Sequence, residues 1–330
     1  MILKLVLSFS LSLIATAAVG LVLIPALRNM KAGQSIRKDG PVWHASKQGT
    51  PTMGGIMFII GIAAAIAVFG FSELKKGEYG HAFVFAFALI FAVIGFLDDY
   101  EKLKKKQNLG LTAIQKFLLQ FVVAIAFVLF MRFTKYVTPN LYIPFFNVTV
   151  QMSEPVYFAF SAFVIVGTVN SVNITDGADG LATGVSLPVA IYYCVIAALW
   201  GYVALGVFAA ALAGGLVGFL IFNFHPAKVF MGDTGSLFLG GAVCAMAFAL
   251  DMPLILIPLG IVYFVETLSD IIQVVYFKLT HGKRVFKMAP LHHHFEMCGW
   301  KEKKLFAVFT AVSVVFAVIS YLAVMYRYSF

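Results

Sequence analysis

Charge is what this 330-residue sequence has least of: only 12% of its residues are Asp, Glu, Lys or Arg, while 61% are hydrophobic. A soluble domain usually carries about 25% charged residues, so a polytopic membrane protein is expected instead. Cysteine is scarce as well. Cys194, Cys244 and Cys298 are scattered and form no C-x-x-C, which argues against a disulfide framework or a zinc knuckle. There is no Walker A run, no G-x-G-x-x-G and no H-E-x-x-H, so ordinary ATP or NAD binding and zinc proteolysis are not supported. No internal repeat or low-complexity run is visible, and nothing points to nucleic acid.

What the chain has in abundance is long apolar runs. A span needs about 20 apolar residues. Ten stretches qualify, roughly 3–27, 53–71, 81–97, 113–133, 155–170, 181–200, 202–222, 236–251, 254–277 and 304–326. The first is longer than the apolar region of a signal peptide, so it is expected to stay as a span. The connections after the odd-numbered spans hold most of the cations, among them Arg28, Lys31, Arg37, Lys38, Lys47, Lys102, Lys106 and Lys116. Of the 24 Lys and Arg, the opposite side holds only Lys4, Lys75, Lys76, Arg132, Lys135 and Arg327. By the positive-inside rule both termini are external and the basic loops cytoplasmic. The expected fold is an all-α polytopic membrane protein of about ten transmembrane helices, with 1–330 as a single domain. The outer stretch 134–154 contains LYIPFFNVTVQM, whose alternation suits a short hairpin. Gly214, Gly215 and Gly218 allow close helix approach.

Three polar breaks interrupt this pattern. They are LDDYEK at 97–102, NSVNITDGADGLATG at 170–184 and NFHPAKVFMGDTGS at 223–236. Each has a plain structural explanation taken alone: solvated helix ends, turns and N-caps. Three together on one side are costly between spans unless they line water, protein or a ligand. Asp98 and Asp99 are expected to end the third span, where the helix dipole disfavours acids. Adjacent carboxylates can share a cation or supply a base. Asp233 is expected just before the eighth span, where a carboxylate beside a helix N-terminus can hold Mg²⁺ against a phosphate. Asn170, Asn173, Asp176 and Asp179 can bind sugar hydroxyls or a nucleobase edge, and Gly177 permits close backbone approach. His292, His293 and His294 are consecutive, so they cannot share one helix face, yet imidazoles can contact phosphate; an exposed turn is the alternative. Glu266, Asp270 and Gln273 fall on one face of the ninth span, either at a cavity or in structural hydrogen bonds. The active-site loops are placed at about 28–52, 98–116, 171–180, 223–235 and 278–303.

Taken together, LDDYEK, NITDGADGLATG, NFHPAKVFMGDTGSLFLGG, APLHHHFE and GTPTMGG at 49–55 closely resemble the phospho-N-acetylmuramoyl-pentapeptide transferase family, over essentially the whole chain. The acidic motifs alone resemble the wider polyprenyl-phosphate N-acetylhexosamine-1-phosphate transferase superfamily; PLHHHFE and NFHPAKVFMGD are similar to its muramoyl branch. The resemblance implies transfer of phospho-MurNAc-pentapeptide from UDP-MurNAc-pentapeptide to undecaprenyl phosphate, giving lipid I and UMP. It implies Mg²⁺ on Asp233, with Asp98 and Asp99 as a catalytic acidic pair and His292, His293 and His294 beside the phosphates. Asn173, Asp176 and Asp179 would line the nucleotide region, with Asn223 and Phe230 at the uridine, and Asn170 and Gly177 would be further substrate contacts. Lys47, Thr52, Lys102, Lys116 and Gln273 would line the same cleft. A homodimer in the bacterial cytoplasmic membrane, with its site on the cytoplasmic face, is implied too. A UDP-GlcNAc transferase is the nearest rival. A nucleotide-sugar transporter is a rival of another class, and it predicts acids spread through the membrane midplane.

Overall fold

The computed structural model describes residues 1–30, 47, 49–105, 110–325 and 327. The expected cations Lys31, Arg37, Lys38 and Lys106, and most of the 28–52 loop, lie outside the described residues. Nine described helices are long and apolar enough to cross a membrane. They are α1 (Ile2–Asn29), α2 (Gly55–Leu74), α3 (Gly80–Lys105), α4 (Ala113–Phe133), α5 (Glu154–Thr175), α6 (Leu181–Leu199), α7 (Val203–Asn223), α8 (Gly232–Ala249) and, last in the chain, α11 (Glu302–Val324). The expected ninth span is a bent pair. A short helical segment, Pro253–Leu259, meets α9 (Ile261–Leu279) at 80°. Pro258 and Gly260 stand at that corner, where proline removes a backbone donor and glycine relaxes the helix. A short α10 (Leu291–Met297) lies between α9 and α11.

Burial sorts the helices. α7 and α8 are covered on nearly every side, so neither needs an apolar stripe. α1 buries only one face, Leu5, Ser8, Ser12, Thr16, Gly20, Ile24 and Leu27, at helical spacing. Its other side exposes Ile2, Leu3, Val6, Ile14, Leu21 and Val22, as a lipid-facing helix should. Where α1 crosses α7, Gly214 and Gly218 meet the backbone of Phe9 and Leu13, the close approach that their lack of a side chain permits.

The hairpin is present. β1 (Asn140–Ile143) pairs antiparallel with β2 (Val148–Gln151), from Asn140 opposite Gln151 to Ile143 opposite Val148. It sits at the end of the bundle away from the polar breaks, where Phe145 N donates to Ala323 O at the end of α11.

Candidate active site

Two of the expected boundaries move, and both moves shape the site. α3 does not end at Asp98 and Asp99 but continues to Lys105. The pairs Asp98–Lys102 and Glu101–Lys105, each four residues apart, support the extra turns. α8 begins at Gly232, so Asp233 lies in its first turn rather than before it. Acids are favoured there by the helix dipole.

Successive residues on a helix point about 100° apart, and this divides the work of the adjacent acids. Asp99 turns toward α8. Its carboxylate accepts from Asp233 N at 3.1 Å, Thr234 N at 2.9 Å and Thr234 Oγ1 at 2.8 Å. It caps α8 from a neighbouring helix, satisfying donors that a helix start leaves open. Asp98 accepts from Leu111 N at 2.8 Å and pairs with Lys102 Nζ at 2.6 Å. Asp233 is reached by Lys102 and Lys116, both at 2.8 Å on Oδ2, and by Asn173 Nδ2 at 2.7 Å on Oδ1. Asn173 also donates to Ser236 Oγ at 2.7 Å. Oxygens of Asp98, Asp99 and Asp233 all lie within 4.8 Å of one another.

Close packing of α3 on α8 makes this possible. A Cβ at Gly95 would strike the backbone carbonyl of Asp233 and press on Thr234 N. Gly95→Ala is therefore expected to push the start of α8 away from α3 and destabilise the fold by about 1–3 kcal/mol, the usual cost of overpacking. Thermal unfolding in detergent checks this.

A second polar knot lies beside the first. Lys47 Nζ is 2.7 Å from Asp179 Oδ1 and 2.7 Å from Glu302 Oε2. Asp179 Oδ2 accepts from Ala227 N at 2.9 Å and lies 2.9 Å from His225 Nδ1, while Asp179 N donates to Glu302 Oε2 at 2.9 Å. Burial alone would raise the pKa of Asp179, but Lys47, Ala227 N and His225 outweigh it and hold the carboxyl below its usual value. Burial also opposes the charge on Lys47, and Glu302 with Asp179 overcomes it and raises that pKa. Asp176 behaves in the opposite way. Crowding by protein, then the charges of Asp233, Asp99 and Asp179, raise its pKa well above the usual carboxylate value. Asp176 is thus electrostatically coupled to both clusters.

The histidines sit on α10 and separate as their spacing demands. His292 turns inward to Glu266 of α9, with Nδ1 at 2.9 Å from Oε2, and both side chains are 1% exposed. His293 pairs with Glu296 at 2.7 Å. His294 Nδ1 accepts from Lys287 N at 3.1 Å.

Residues 81–251, which carry α3 through α8, match the model of glycosyl transferase family 4. Residues 47–59, with Lys47 and Thr52, match the phospho-N-acetylmuramoyl-pentapeptide-transferase signature 1. A phospho-N-acetylmuramoyl-pentapeptide-transferase of Clostridium acetobutylicum is 47% identical over 92% of this chain and 94% of its own length. The chain belongs to that family. Relatives of the same description from Caldanaerobacter subterraneus subsp. tengcongensis and Clostridium perfringens strain 13 are 46% and 45% identical, over 97% and 96% of this chain and 99% and 98% of theirs.

Against the family reading, the structure brings Asp98, Asp99, Lys102, Lys116, Asn173 and Asp233 into one cluster. Lys47 and Asp179 meet in the second. Phe230 lies under Lys47, with Nζ 5.9 Å from the ring centre. Thr52 and Asp99 both border Gly232. Three expected substrate contacts are engaged by the protein itself. Asn170 Nδ2 donates to Gln120 of α4 and to Val166 O. Asn223 accepts from Thr183 Oγ1 and donates to Val229 O. Gln273 accepts from Val285 N and Phe286 N and donates to Phe286 O, which ties the loop after α9 to its own helix. Glu302, His225, Thr234 and Ser236 were not anticipated as site residues. A single acid inside KEKK was the one visible sign for Glu302.

Proposed function

We propose that this chain transfers phospho-MurNAc-pentapeptide from UDP-MurNAc-pentapeptide to undecaprenyl phosphate, with Mg²⁺, at the cytoplasmic face of the bacterial inner membrane. The observation that carries the reading is the cluster of Asp98, Asp99 and Asp233 with Lys102 and Lys116 at one end of an apolar bundle. Three carboxylates against two ammonium groups leave a net charge of −1. That balance repels two phosphate substrates until a divalent cation reverses it. The donors are all carboxylate oxygens, which suits a hard ion such as Mg²⁺. Asp233 and Asp98 would hold it, with Asp99 close by. When bound, Mg²⁺ supplies neutralisation of the charge that builds on the departing UMP.

The chain's own groups do the rest. Lys102 and Lys116, now on carboxylates, are placed to pass to phosphate oxygens. Asp98 orients the acceptor phosphate through the Lys102 ammonium group that it holds at 2.6 Å. A phosphate monoester has a second pKa near about 6 and is largely dianionic at neutral pH, so orientation matters more than proton removal. The acceptor oxygen bonds to the sugar-linked phosphorus as the bond from that phosphorus to the bridging oxygen breaks, and UMP leaves. A one-step displacement predicts that labelled donor without acceptor leaves no label on the protein. A phosphosugar-aspartate trapped under those conditions would reject it.

The knot at Lys47 holds the nucleotide side of the cleft. Lys47→Met strands Asp179 and Glu302, and the donor KM is expected to rise at least about tenfold with a smaller change in kcat. The sign of the pH effect follows from Asp179. Its pKa is lowered in the folded chain, so its pairing adds stability above the ordinary carboxylate pKa, and that stability is lost as pH falls through the lowered value. In Lys47→Met this loss moves to higher pH, which acid titration of thermal stability reads. Support for the homodimer is the family resemblance alone. The direct test of function is UMP release in detergent from UDP-MurNAc-pentapeptide, with and without undecaprenyl phosphate and Mg²⁺, and with UDP-GlcNAc as competitor. Absence of acceptor-dependent release would remove the proposal.

A further inference from the structure

His292 holds a feature that its pairing with Glu266 does not explain. Its Nδ1 faces Glu266 Oε2 at 2.9 Å and its backbone N donates to Glu266 Oε1 at 3.2 Å. The other ring nitrogen, Nε2, is buried and has no hydrogen-bond partner. A buried polar atom left in this way is costly and calls for an explanation. Nε2 points at Gly177: a Cβ built there would run into it. Gly177 follows Asp176, whose charge is coupled to Asp233 and Asp99. The unpartnered nitrogen therefore looks into the turn beside the acidic cluster.

We infer that Glu266 is a positioning residue: it holds the ring proton of His292 on Nδ1 and aims Nε2 into the 176–180 turn, where a phosphate oxygen of the nucleotide diphosphate becomes its partner. This rests on the phosphotransferase reading above. The ring cannot rotate without breaking the Nδ1 contact, and α10 cannot shift without breaking the backbone contact. Both bonds end on one carboxylate. When an anionic oxygen reaches Nε2, the ring takes up one proton from solvent there, and the charge of Glu266 offsets the imidazolium. The other groups near the pair are Asp270, one turn along α9 and electrostatically coupled to both, and the His293 ring, 4.2 Å away centre to centre. Carboxylate–imidazole pairs of this kind set tautomer and direction in many sites.

The substitution Glu266→Gln separates positioning from packing, because it keeps the shape and changes the hydrogen-bond pattern. The backbone N–H of His292 keeps the amide oxygen, so the amide NH₂ faces Nδ1. Nδ1 must then accept, and the resting proton moves to Nε2. In the full-length protein with ¹⁵N-labelled histidine, in detergent, the wild type is expected to carry the resting proton of His292 on Nδ1 and to gain one at Nε2 with UDP but not with uridine. His292→Asn assigns the signal. Glu266→Gln is expected to carry the proton on Nε2 from the start. Its kcat for UMP release is expected to fall about 10²-fold, with the donor KM within about threefold, because without the Glu266 carboxylate the ring meets the phosphate oxygen as a neutral donor and not as an imidazolium. In the His292→Asn background the same change should cost no more than about twofold further, because Glu266 acts only through that ring.

A wild-type ring with its resting proton on Nε2, no response to UDP, kcat of Glu266→Gln within about threefold of wild type, or losses that multiply in the double variant would each overturn the inference. If Glu266→Gln fails to fold, the wild-type tautomer and its response to UDP still decide. If the wild type binds UDP as described but releases no UMP with acceptor, the proposed function fails and the positioning stands.

Discussion

Asp233→Asn is expected to fold and to lose acceptor-dependent UMP release by about 10³-fold or more, the scale on which a principal charge-stabilising group acts. The side chain is nearly isosteric, and its place in the first turn of α8 depends on backbone donors held by Asp99 rather than on its own carboxylate. Folding should therefore survive. What changes is the charge. Two lysines converge on Asp233 Oδ2, and a neutral amide leaves them facing each other with one carboxylate fewer. The balance of the cluster rises from −1 to 0, so the site no longer attracts a cation. Raising Mg²⁺ should recover little of the activity. Turnover within about tenfold of wild type would defeat the assignment of Asp233.

The second large effect separates the adjacent acids. Asp99→Ala is expected to lose activity and stability together. Removing its carboxylate strands Asp233 N, Thr234 N and Thr234 Oγ1 at a buried helix start. A buried donor left unsatisfied costs about 1–3 kcal/mol, so the three together amount to a severe lesion. Asp98→Ala should be as damaging to turnover yet far milder in thermal unfolding, because Asp98 faces Lys102 and the single donor Leu111 N. Paired melts and UMP assays on the two variants make the comparison. Equal loss of stability in both would show that the acids share one role.

Asp98 and Asp99 divide their work in a way that the sequence alone does not show. In sequence they are a pair at an expected helix end. Adjacency in sequence is a 100° separation on a helix, and only knowing that α3 continues to Lys105 turns the pair into two jobs. The spans themselves were legible because lipid demands about 20 apolar residues for each. The 80° break before α9 was not, since Pro258 and Gly260 mark a corner without giving its angle. The gathering of the acidic breaks was legible from side and charge sign, and they do cluster at one end of the bundle, where the transporter reading wanted them dispersed. The partners of each acid were not legible. Glu302 lies 123 residues from Asp179, and Glu266 lies 26 from His292; no local pattern connects them. Asn223 and Gln273 are expected as substrate contacts through the family resemblance, and Asn170 lies in a polar break; the sequence does not show that each also bonds a neighbouring helix or loop, as a polar group between apolar helices must.

The most direct test of the account is where a divalent ion binds. Mn²⁺ serves as a spectroscopic stand-in for Mg²⁺, and electron paramagnetic resonance of the full-length protein in detergent counts bound ions. The account predicts one saturable Mn²⁺ site per chain, tightened by UDP, lost in Asp233→Asn and retained in Lys47→Met. Undiminished binding in Asp233→Asn, or binding abolished by Glu302→Gln with Asp233 intact, would place the ion at the second knot and contradict it.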